Sequence, residues 1–333
     1  MGIWMRARMR ARTLSVCAVV LLGALPLTAP GQPSNYPTKP IRVLVANAPG
    51  GGLDITARTV GPTVSNGLGQ QLIVDNRGGA AGSLAGEITA KALPDGYTVL
   101  VGSIGPLAVN PHMYKGIGYH PLKDFAPLTF AVSGSNILVV HPTVAAKTVP
   151  ELIALARAER TMLTYGSTGS GNAAHLAAEL FSSMAKVKMV HVPYKGGAPA
   201  MIALLSGEVQ LVFSSAPTAI PQVKAGKVRA LAVTTLKRSA VLSDLPTIAE
   251  SGLPGYEMDN WFGIVTTAGT PRPIVERLNA EFVKALSQSD IKEALLRQGL
   301  EAAPGTPEAF GAYMKSEYNK WGKIIAEAGI ATN

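Results

Sequence analysis

The sequence predicts an α/β fold built from parallel strands and divided between two domains. Apolar runs of strand length alternate with amphipathic stretches of helix length along most of the chain, which is the pattern of repeated βαβ units. The pattern stops over residues 103–135, where prolines and aromatics indicate a long connection, and then starts again. A chain of 333 residues that is 47% hydrophobic and 15% charged is also long enough for two domains.

The first residues are set apart from this fold. Residues 1–13 carry four arginines and no acid, residues 14–27 form an apolar block, and small residues follow, which together are typical of a secretory signal peptide. The block is too short for a spanning anchor, and we expect cleavage near Gly31. Cys17, the only cysteine, lies in this segment. Lipid attachment there is an alternative that the branched Val16 before it disfavours.

The charge of the mature chain is modest. Without the four arginines, 26 Lys and Arg stand against 21 Asp and Glu, so the net charge falls from +9 to +5. The excess is spread along the chain without a basic block, whereas nucleic-acid proteins more often cluster their Lys and Arg. We therefore expect no nucleic-acid partner.

The first domain follows the βαβ order element by element. A strand at residues 41–46 leads through a glycine-rich turn into a helix that ends near Leu68, where apolar residues recur at steps of three and four. A strand at 71–75, a helix at 83–93 and a strand at 97–103 come next. We expect these strands to be parallel with right-handed crossovers.

The second domain repeats the order from residue 136. Thr148 and Glu151 form a capping box before a helix, and we expect further strands at 136–142, 162–167, 189–194, 209–215 and 228–235. From about residue 256 one more strand and three helices follow, which we expect to return to the first domain. The predicted organisation is a signal peptide at 1–31, domain 1 at 35–134 and 256–333, and domain 2 at 135–255.

Two glycine-rich turns occupy equivalent positions in the two domains, Ala48 to Leu53 and Gly166 to Asn172. Each joins a strand to a helix, and a helix N-terminus at the carboxyl edge of a sheet presents free N–H groups to an anion. Two such turns facing each other would clamp a carboxylate without Lys or Arg. The alternative for each turn alone is that glycines merely permit a tight connection.

Small polar residues appear at the same sheet edge. Ser103 ends one strand and Ser214 with Ser215 ends another, which favours a polar, uncharged pocket, although serines are also common turn residues. Asp54, in the first turn of the first helix, is better explained as complementing the helix dipole than as touching an anionic ligand.

Enzyme motifs are missing from the sequence. The turns lack the lysine of a P-loop, there is no G-x-S-x-G, and the five histidines form no H-E-x-x-H. His175 and Glu179 make a single i, i+4 pair, which is too few ligands for a metal site. We expect no catalytic residue, no metal and no cofactor.

These features resemble a known family. Segments such as "APGGGLDITAR", "GSTGSGNAAHLAAELF", "VPYKGGAPAMIALLSGEV" and "LPTIAESGLPGYE" are similar, in the same order, to those of the substrate-binding receptors of tripartite tricarboxylate transporters, the Bug-type periplasmic solute receptors. The resemblance runs from about Tyr36 to the C-terminus. It implies a periplasmic protein with a two-domain Venus flytrap fold of the type II periplasmic binding proteins, a ligand cleft between the domains and no catalytic activity.

The resemblance also implies which residues touch the ligand. Backbone contacts would come from Gly51 and Gly52 and from Ser167, Thr168 and Gly169, with Ser103 at the edge. Asn47 replaces the aromatic residue usual in the family, and Ser214 stands where many members have an acid, which makes an amino-acid ligand less favoured. The full set of expected ligand-binding residues is Asn47, Ala48, Gly51, Gly52, Ser103, Ser167, Thr168, Gly169, Asn172 and Ser214.

The function predicted from sequence is the capture of a small di- or tricarboxylate or related organic acid and its delivery to a membrane permease. The expected partners are that ligand and the permease subunits, with the receptor acting as a monomer. Two alternatives stay open from the residues: a receptor that informs a membrane sensor kinase, and an exported enzyme acting on small organic acids.

Overall fold

A computed structural model describes residues 35–158, 162–239 and 241–328. The predicted signal peptide at residues 1–31, with Cys17, lies outside these ranges. The described chain contains the following strands: β1 (Ile41–Val45), β2 (Leu72–Asn76), β3 (Thr98–Ser103), β4 (Phe125–Val140), β5 (Thr164–Ser167), β6 (Val190–Pro193), β7 (Leu211–Ser215), β8 (Arg229–Val233), β9 (Asp259–Thr267) and β10 (Leu300–Ala302).

Helices lie between most of these strands, as predicted, and two short helices, α3 and α4, lie in the segment that was predicted to be a connection. Their bounds are α1 (Gly52–Leu68), α2 (Ser83–Ala90), α3 (Asn110–Met113), α4 (Pro121–Asp124), α5 (Val149–Arg157), α6 (Ala173–Ala185), α7 (Gly197–Leu205), α8 (Ala216–Lys224), α9 (Arg272–Ser287), α10 (Ser289–Arg297) and α11 (Pro307–Ala328). A 3₁₀ turn precedes α2 at Ala80–Gly82, and a π-helical segment precedes α3 at Gly105–Val109. None of the helices in these ranges has the length and apolar character that a bilayer crossing needs.

The strands form one twisted sheet with two halves joined by β4. The order is β2-β1-β3-β9-β4-β7-β5-β6, with β8 and β10 also paired to β4. We call the half around β1, β2, β3 and β9 lobe 1 and the half around β5, β6, β7 and β8 lobe 2. The first part of β4 pairs with β9 and β10, and its last five residues pair with β7 and β8.

The prediction of parallel strands was right for three strands in each lobe and wrong for the strands that cross between the lobes. β1 is parallel to β2 and β3, and β5 is parallel to β6 and β7. β4 and β9 are antiparallel to their neighbours, because the chain crosses from one lobe to the other along them and meets strands that run in the opposite direction. The sheet is therefore mixed.

The connection predicted over residues 103–135 is shorter than expected, because β4 already begins at Phe125. Pro127 has no N–H to donate and lies where the pairing of β4 with β9 shifts register, which is where a sheet tolerates proline. The three predicted C-terminal helices are α9, α10 and α11. Their apolar faces, including Leu278, Leu295 and Phe310, pack into the main hydrophobic core.

Candidate ligand-binding cleft

The turn between β1 and α1 is held by Asp54. This carboxylate is 4% exposed; its Oδ2 accepts a hydrogen bond from the Gly50 N–H at 3.0 Å, and its Oδ1 accepts from Arg58 and Asn76 at 2.8 and 3.0 Å. Gly50 has φ +80°, a backbone conformation that glycine adopts at little cost. Asp54 thus supports the turn from behind.

The equivalent turn in lobe 2, between β5 and α6, is held by two histidines. The Oγ of Ser167 lies 2.6 Å from His191 Nε2 and accepts a hydrogen bond from the Gly169 N–H at 3.1 Å. His175 Nδ1 accepts from the Gly171 N–H at 3.1 Å. Both rings are stacked beside Tyr165, so side chains buried under the turn fix its backbone.

The pKa of both histidines is lowered to about 4, chiefly by burial; for His191 the neighbouring His175 contributes to the lowering and Glu179 opposes it. Both rings are therefore neutral near pH 7. Neutrality matters for His175 because a neutral imidazole offers one nitrogen as an acceptor, which the Gly171 N–H requires, whereas an imidazolium only donates.

Four helix N-termini converge on one cavity between these turns. The residues that precede α1, α6, α7 and α8 are Gly51, Asn172, Gly196 and Ser215, and none of them caps its helix with a side-chain hydrogen bond. Each helix has at least nine residues and leaves its first N–H groups without an intrahelical partner. The sequence predicted two of these N-termini, those of α1 and α6; the structure adds α7 and α8.

The cavity has a volume of about 20 Å³, which is room for about one water molecule. Its walls contain backbone of the four helix starts, small apolar groups and uncharged polar side chains. The lining residues are Asn47, Gly51, Gly52, Ser103, Asn136, Thr168, Asn172, Ala173, Ala174, Gly197, Ser215, Asn260 and Phe262. Within the described ranges, no Lys, Arg, His, Asp or Glu is among them.

The two lobes touch directly around this cavity. Ser103 Oγ in lobe 1 donates to Asn172 Oδ1 in lobe 2 at 3.0 Å. The Ala48 N–H donates to the Lys195 carbonyl at 3.3 Å. Tyr114 donates to the Ser170 carbonyl at 2.5 Å. The cleft is therefore closed in this structure.

Six of the ten residues expected at the site line the cavity: Asn47, Gly51, Gly52, Ser103, Thr168 and Asn172. The other four lie just behind its wall. Ala48 forms the contact to Lys195, Ser167 is fully buried beneath the turn, Gly169 packs against Ala81, and Ser214 points its Oγ to the Ser215 carbonyl.

Sequence reasoning missed several residues of the wall, chiefly Asn136, Gly197, Ser215 and Asn260. Gly197 was detectable, since the pair Gly196-Gly197 precedes a helix in the same way as the first turn. Ser215 was noted as a strand end, but its neighbour Ser214 was chosen; in an extended strand successive side chains face opposite sides. Asn136 and Asn260 lie on the two crossing strands, and no local motif marks them.

Comparison with known proteins decides the family. The model of the tripartite tricarboxylate transporter family receptor matches residues 56–330. The chain belongs to this family. The predicted family and the two-domain periplasmic-binding-protein fold are thereby confirmed. Receptors of the tripartite tricarboxylate transporter family are periplasmic solute-binding proteins.

Relatives of this tripartite tricarboxylate transporter receptor match along most of their length. The protein BugT of Bordetella pertussis is 32% identical over 319 residues, covering 96% of this chain and 98% of the relative. The structure of Rpa4515 of R. palustris with adipate has a TM-score of 0.87 and 37% identity, covering 90% and 100% of the two chains. MatC of Rhodopseudomonas palustris with bound malate has a TM-score of 0.82 and 30% identity, covering 87% and 100%.

Proposed function

We propose that this protein is a periplasmic receptor that captures a small carboxylate between its lobes and delivers it to the membrane permease subunits of a tripartite transporter. The observation that carries the proposal is the convergence of four helix N-termini, none capped by a side chain, on a cavity lined by no charged side chain. Each terminus carries roughly half a positive charge, so the cavity favours an anion. Adipate and malate in the two similar structures support this ligand class.

The proposed contacts follow from the walls. The N–H groups at Gly51 and Gly52 in lobe 1, and those at the start of α6 in lobe 2, hold the carboxylate, and Asn47, Ser103 and Thr168 supply polar side chains. Ala48, Ser167 and Gly169 belong to the segments that shape these turns, and Ser214 lies beside Ser215 at the end of β7. The receptor acts as an exported monomer.

We place the hinge where the chain crosses between lobes, close to the predicted domain limits at residues 134–135 and 255–256. The Asn136 N–H donates to Thr234 Oγ1 there, and the Thr234 N–H donates to the Asn136 carbonyl. Thr234 Oγ1 in turn donates to the Met258 carbonyl at 2.7 Å. Contacts that form only when both lobes meet the ligand would then drive closure.

The exported-enzyme alternative has one arrangement in its favour, the Ser167 and His191 pair at 2.6 Å. A nucleophile must reach its substrate, and Ser167 is fully buried with its Oγ engaged by the Gly169 N–H. We therefore propose that the protein has no catalytic activity. Product formation from a bound carboxylate, followed by NMR with the pure protein, would contradict this.

The binding proposal is tested by calorimetry with malate, adipate and other carboxylates of three to six carbons, and with neutral sugars. Carboxylates are expected to bind and sugars are not. The reverse outcome, sugars bound and carboxylates ignored, would reject the carboxylate receptor.

A matched pair of variants tests the role of the helix N-termini. Ser215→Asp places a carboxylate at the start of α8 inside the cavity, where it competes with the ligand for the same N–H groups and repels it. We expect affinity for carboxylates to fall at least about tenfold. Thr148→Asp changes the exposed residue before α5, whose Oγ1 already accepts from the Glu151 N–H and which is not part of the cavity wall, so affinity should stay the same. Equal affinities of the two variants would show that the N-terminus of α8 takes no part.

A further inference from the structure

Asn136 lies at the point where β4 passes from lobe 1 to lobe 2. Its N–H donates to Thr234 Oγ1 at 3.0 Å, and its carbonyl accepts from the Thr234 N–H at 3.0 Å. In the strand register it is opposite Ser215, the residue before α8. The backbone of Asn136 is thus held at the base of the cavity, and only its side chain faces the cavity.

In the side-chain amide of Asn136, the oxygen has a hydrogen-bond partner and the nitrogen has none among the described residues. Its Oδ1 accepts a hydrogen bond from Asn260 Nδ2 at 3.1 Å. Its Nδ2 is buried and, among the described residues, has no hydrogen-bond partner. The residue is 1% exposed and Asn260 is 5% exposed. A buried donor without a partner costs about 1–3 kcal/mol, so this N–H group favours any ligand that offers it an acceptor.

The donors around the cavity outnumber what one carboxylate can accept. A carboxylate has about four lone-pair sites. Each helix start contributes up to about four free N–H groups, with one fewer in α7 and α8 because Pro199 and Pro217 have none, and the Asn136 Nδ2 adds to this number. A ligand with a single carboxylate and an alkyl remainder would leave the Asn136 donor unpaired. A second oxygen acceptor on the ligand would satisfy it.

We propose, on the basis of the carboxylate-receptor function above, that Asn136 determines ligand selectivity by donating a hydrogen bond from Nδ2 to a second oxygen group of the ligand. Asn260 orients the amide for this contact, because its own N–H engages the Asn136 Oδ1 and leaves Nδ2 as the end of the amide without a partner among the described residues. The preferred ligands are consequently organic acids with two oxygen-bearing groups, and plain monocarboxylates are discriminated against.

The test compares ligand pairs that differ only at the second group: malonate with propanoate, succinate with butanoate, glutarate with pentanoate and adipate with hexanoate. Calorimetry gives a dissociation constant for each. For the wild-type protein, the best dicarboxylate should bind at least about tenfold more tightly than its monocarboxylate, the ratio expected for a hydrogen bond to a charged group. Equal affinities within every pair would overturn the inference.

Two variants of Asn136 assign the discrimination to this residue. In Asn136→Ala the preference for the dicarboxylate over its monocarboxylate should fall about tenfold, and the affinity for the monocarboxylate should change little. Asn136→Asp has the same shape but replaces the donor with an acceptor. This variant should bind the ω-amino acid more tightly than the dicarboxylate of the same length, which is the reverse of the preference expected for the wild-type protein. If Asn136 had only a structural role, its variants would lower the affinity for all ligands to the same extent, and the preference would not reverse.

The matched control is Asn66, an exposed asparagine near the end of α1. Asn66→Ala and Asn66→Asp should leave every ratio unchanged, and circular dichroism with thermal melting confirms folding of all four variants. If dicarboxylates bind but the Asn136 variants keep the wild-type ratio, Asn136 is not the determinant while the receptor function stands. If wild-type protein binds no carboxylate, the proposed function itself fails.

Discussion

At the scale of single residues, His175 and His191 connect the stability of the receptor to pH. Both rings lie under the turn that places Thr168 and Asn172 in the cavity wall. The hydrogen bond that His175 accepts from the Gly171 N–H needs a neutral imidazole. Burial holds their pKa at about 4 in the folded protein, against about 6.5 in an unfolded chain. Between these values the unfolded chain binds protons that the folded chain does not.

Stability should therefore decrease as the pH falls from about 6.5 to about 4, and level off above and below this window with respect to these groups. For the fully enclosed His175 the loss is on the order of a few kcal/mol. Melting temperatures measured from pH 4 to 7.5 should follow this trend. In His175→Gln the slope should be smaller, because glutamine has an amide oxygen to accept from the Gly171 N–H and does not titrate.

The control for this prediction is His141→Gln, since the partly exposed His141 lies in a different turn, directly after β4, where its ring contacts Thr143. Its melting curve should keep the wild-type slope. A slope in His175→Gln equal to that of wild type would mean that acid destabilises the protein through other groups.

At the scale of elements, the turn after β2 limits how closely the lobes approach. Gly78 lies in this turn, and a Cβ atom there would be 3.0 Å from the Lys195 carbonyl of lobe 2 and 3.2 Å from the Ala48 nitrogen. These are the two atoms that form a direct hydrogen bond between the lobes. Glycine is thus needed at position 78 for closure rather than for an unusual backbone angle.

Gly78→Ala should weaken ligand affinity several-fold, because the closed form that binds the ligand becomes less populated. Calorimetry with the best carboxylate measures this, and X-ray scattering should show less compaction on binding. Gly61→Ala is the control: Gly61 lies in the middle of α1, and outside its two chain neighbours and the backbone of its own helix no atom lies within 4 Å of its added Cβ, so affinity should be unchanged. Unchanged affinity in Gly78→Ala would show that closure tolerates the methyl group.

Helices and strands that have a pattern in their own sequence could be predicted, whereas those that depend on pairing with residues far away in the chain could not. The α1 and α6 starts were found because glycine-rich turns between an apolar strand and an amphipathic helix are visible in sequence. The first eleven residues of β4 were missed because Pro127, Gly134 and three serine or threonine residues interrupt the alternation of a strand, and only pairing with β9 makes them one. Asn136 and Asn260 were missed for the same reason, since the contact between them depends on the pairing of β4 with β9.

At the scale of the whole molecule, the closed cleft sets the order of events in binding. A cavity of about 20 Å³ is too small to admit an organic acid of several carbons without separation of its walls. In the mechanism proposed above, the lobes open at the proposed hinge, admit the ligand and close on it. The two-lobed architecture was expected from the interrupted βαβ pattern, whereas the degree of closure depends on contacts such as that between Ser103 and Asn172, which no sequence pattern reveals.

Ligand binding should consequently stabilise the whole chain. At a ligand concentration of 100 times the dissociation constant, the folded state gains about 2.7 kcal/mol, which for a chain of this size raises the melting temperature by about 5 °C. Differential scanning calorimetry with the best dicarboxylate measures the shift, with an equal concentration of a neutral sugar as the control. The same shift with both solutes would indicate a general solute effect rather than binding in the cleft.

The four uncapped helix starts also bear on how such receptors diversify. A backbone N–H group is present whatever side chain the residue carries, and only a change to proline removes it. Point mutations at Asn47, Asn136 or Ser215 therefore alter the shape and chemistry around a ligand without removing the backbone N–H groups that are proposed to hold its carboxylate. If the proposed contacts hold, side-chain changes in the wall could redirect the receptor from one organic acid to another while the backbone N–H groups keep their preference for a carboxylate.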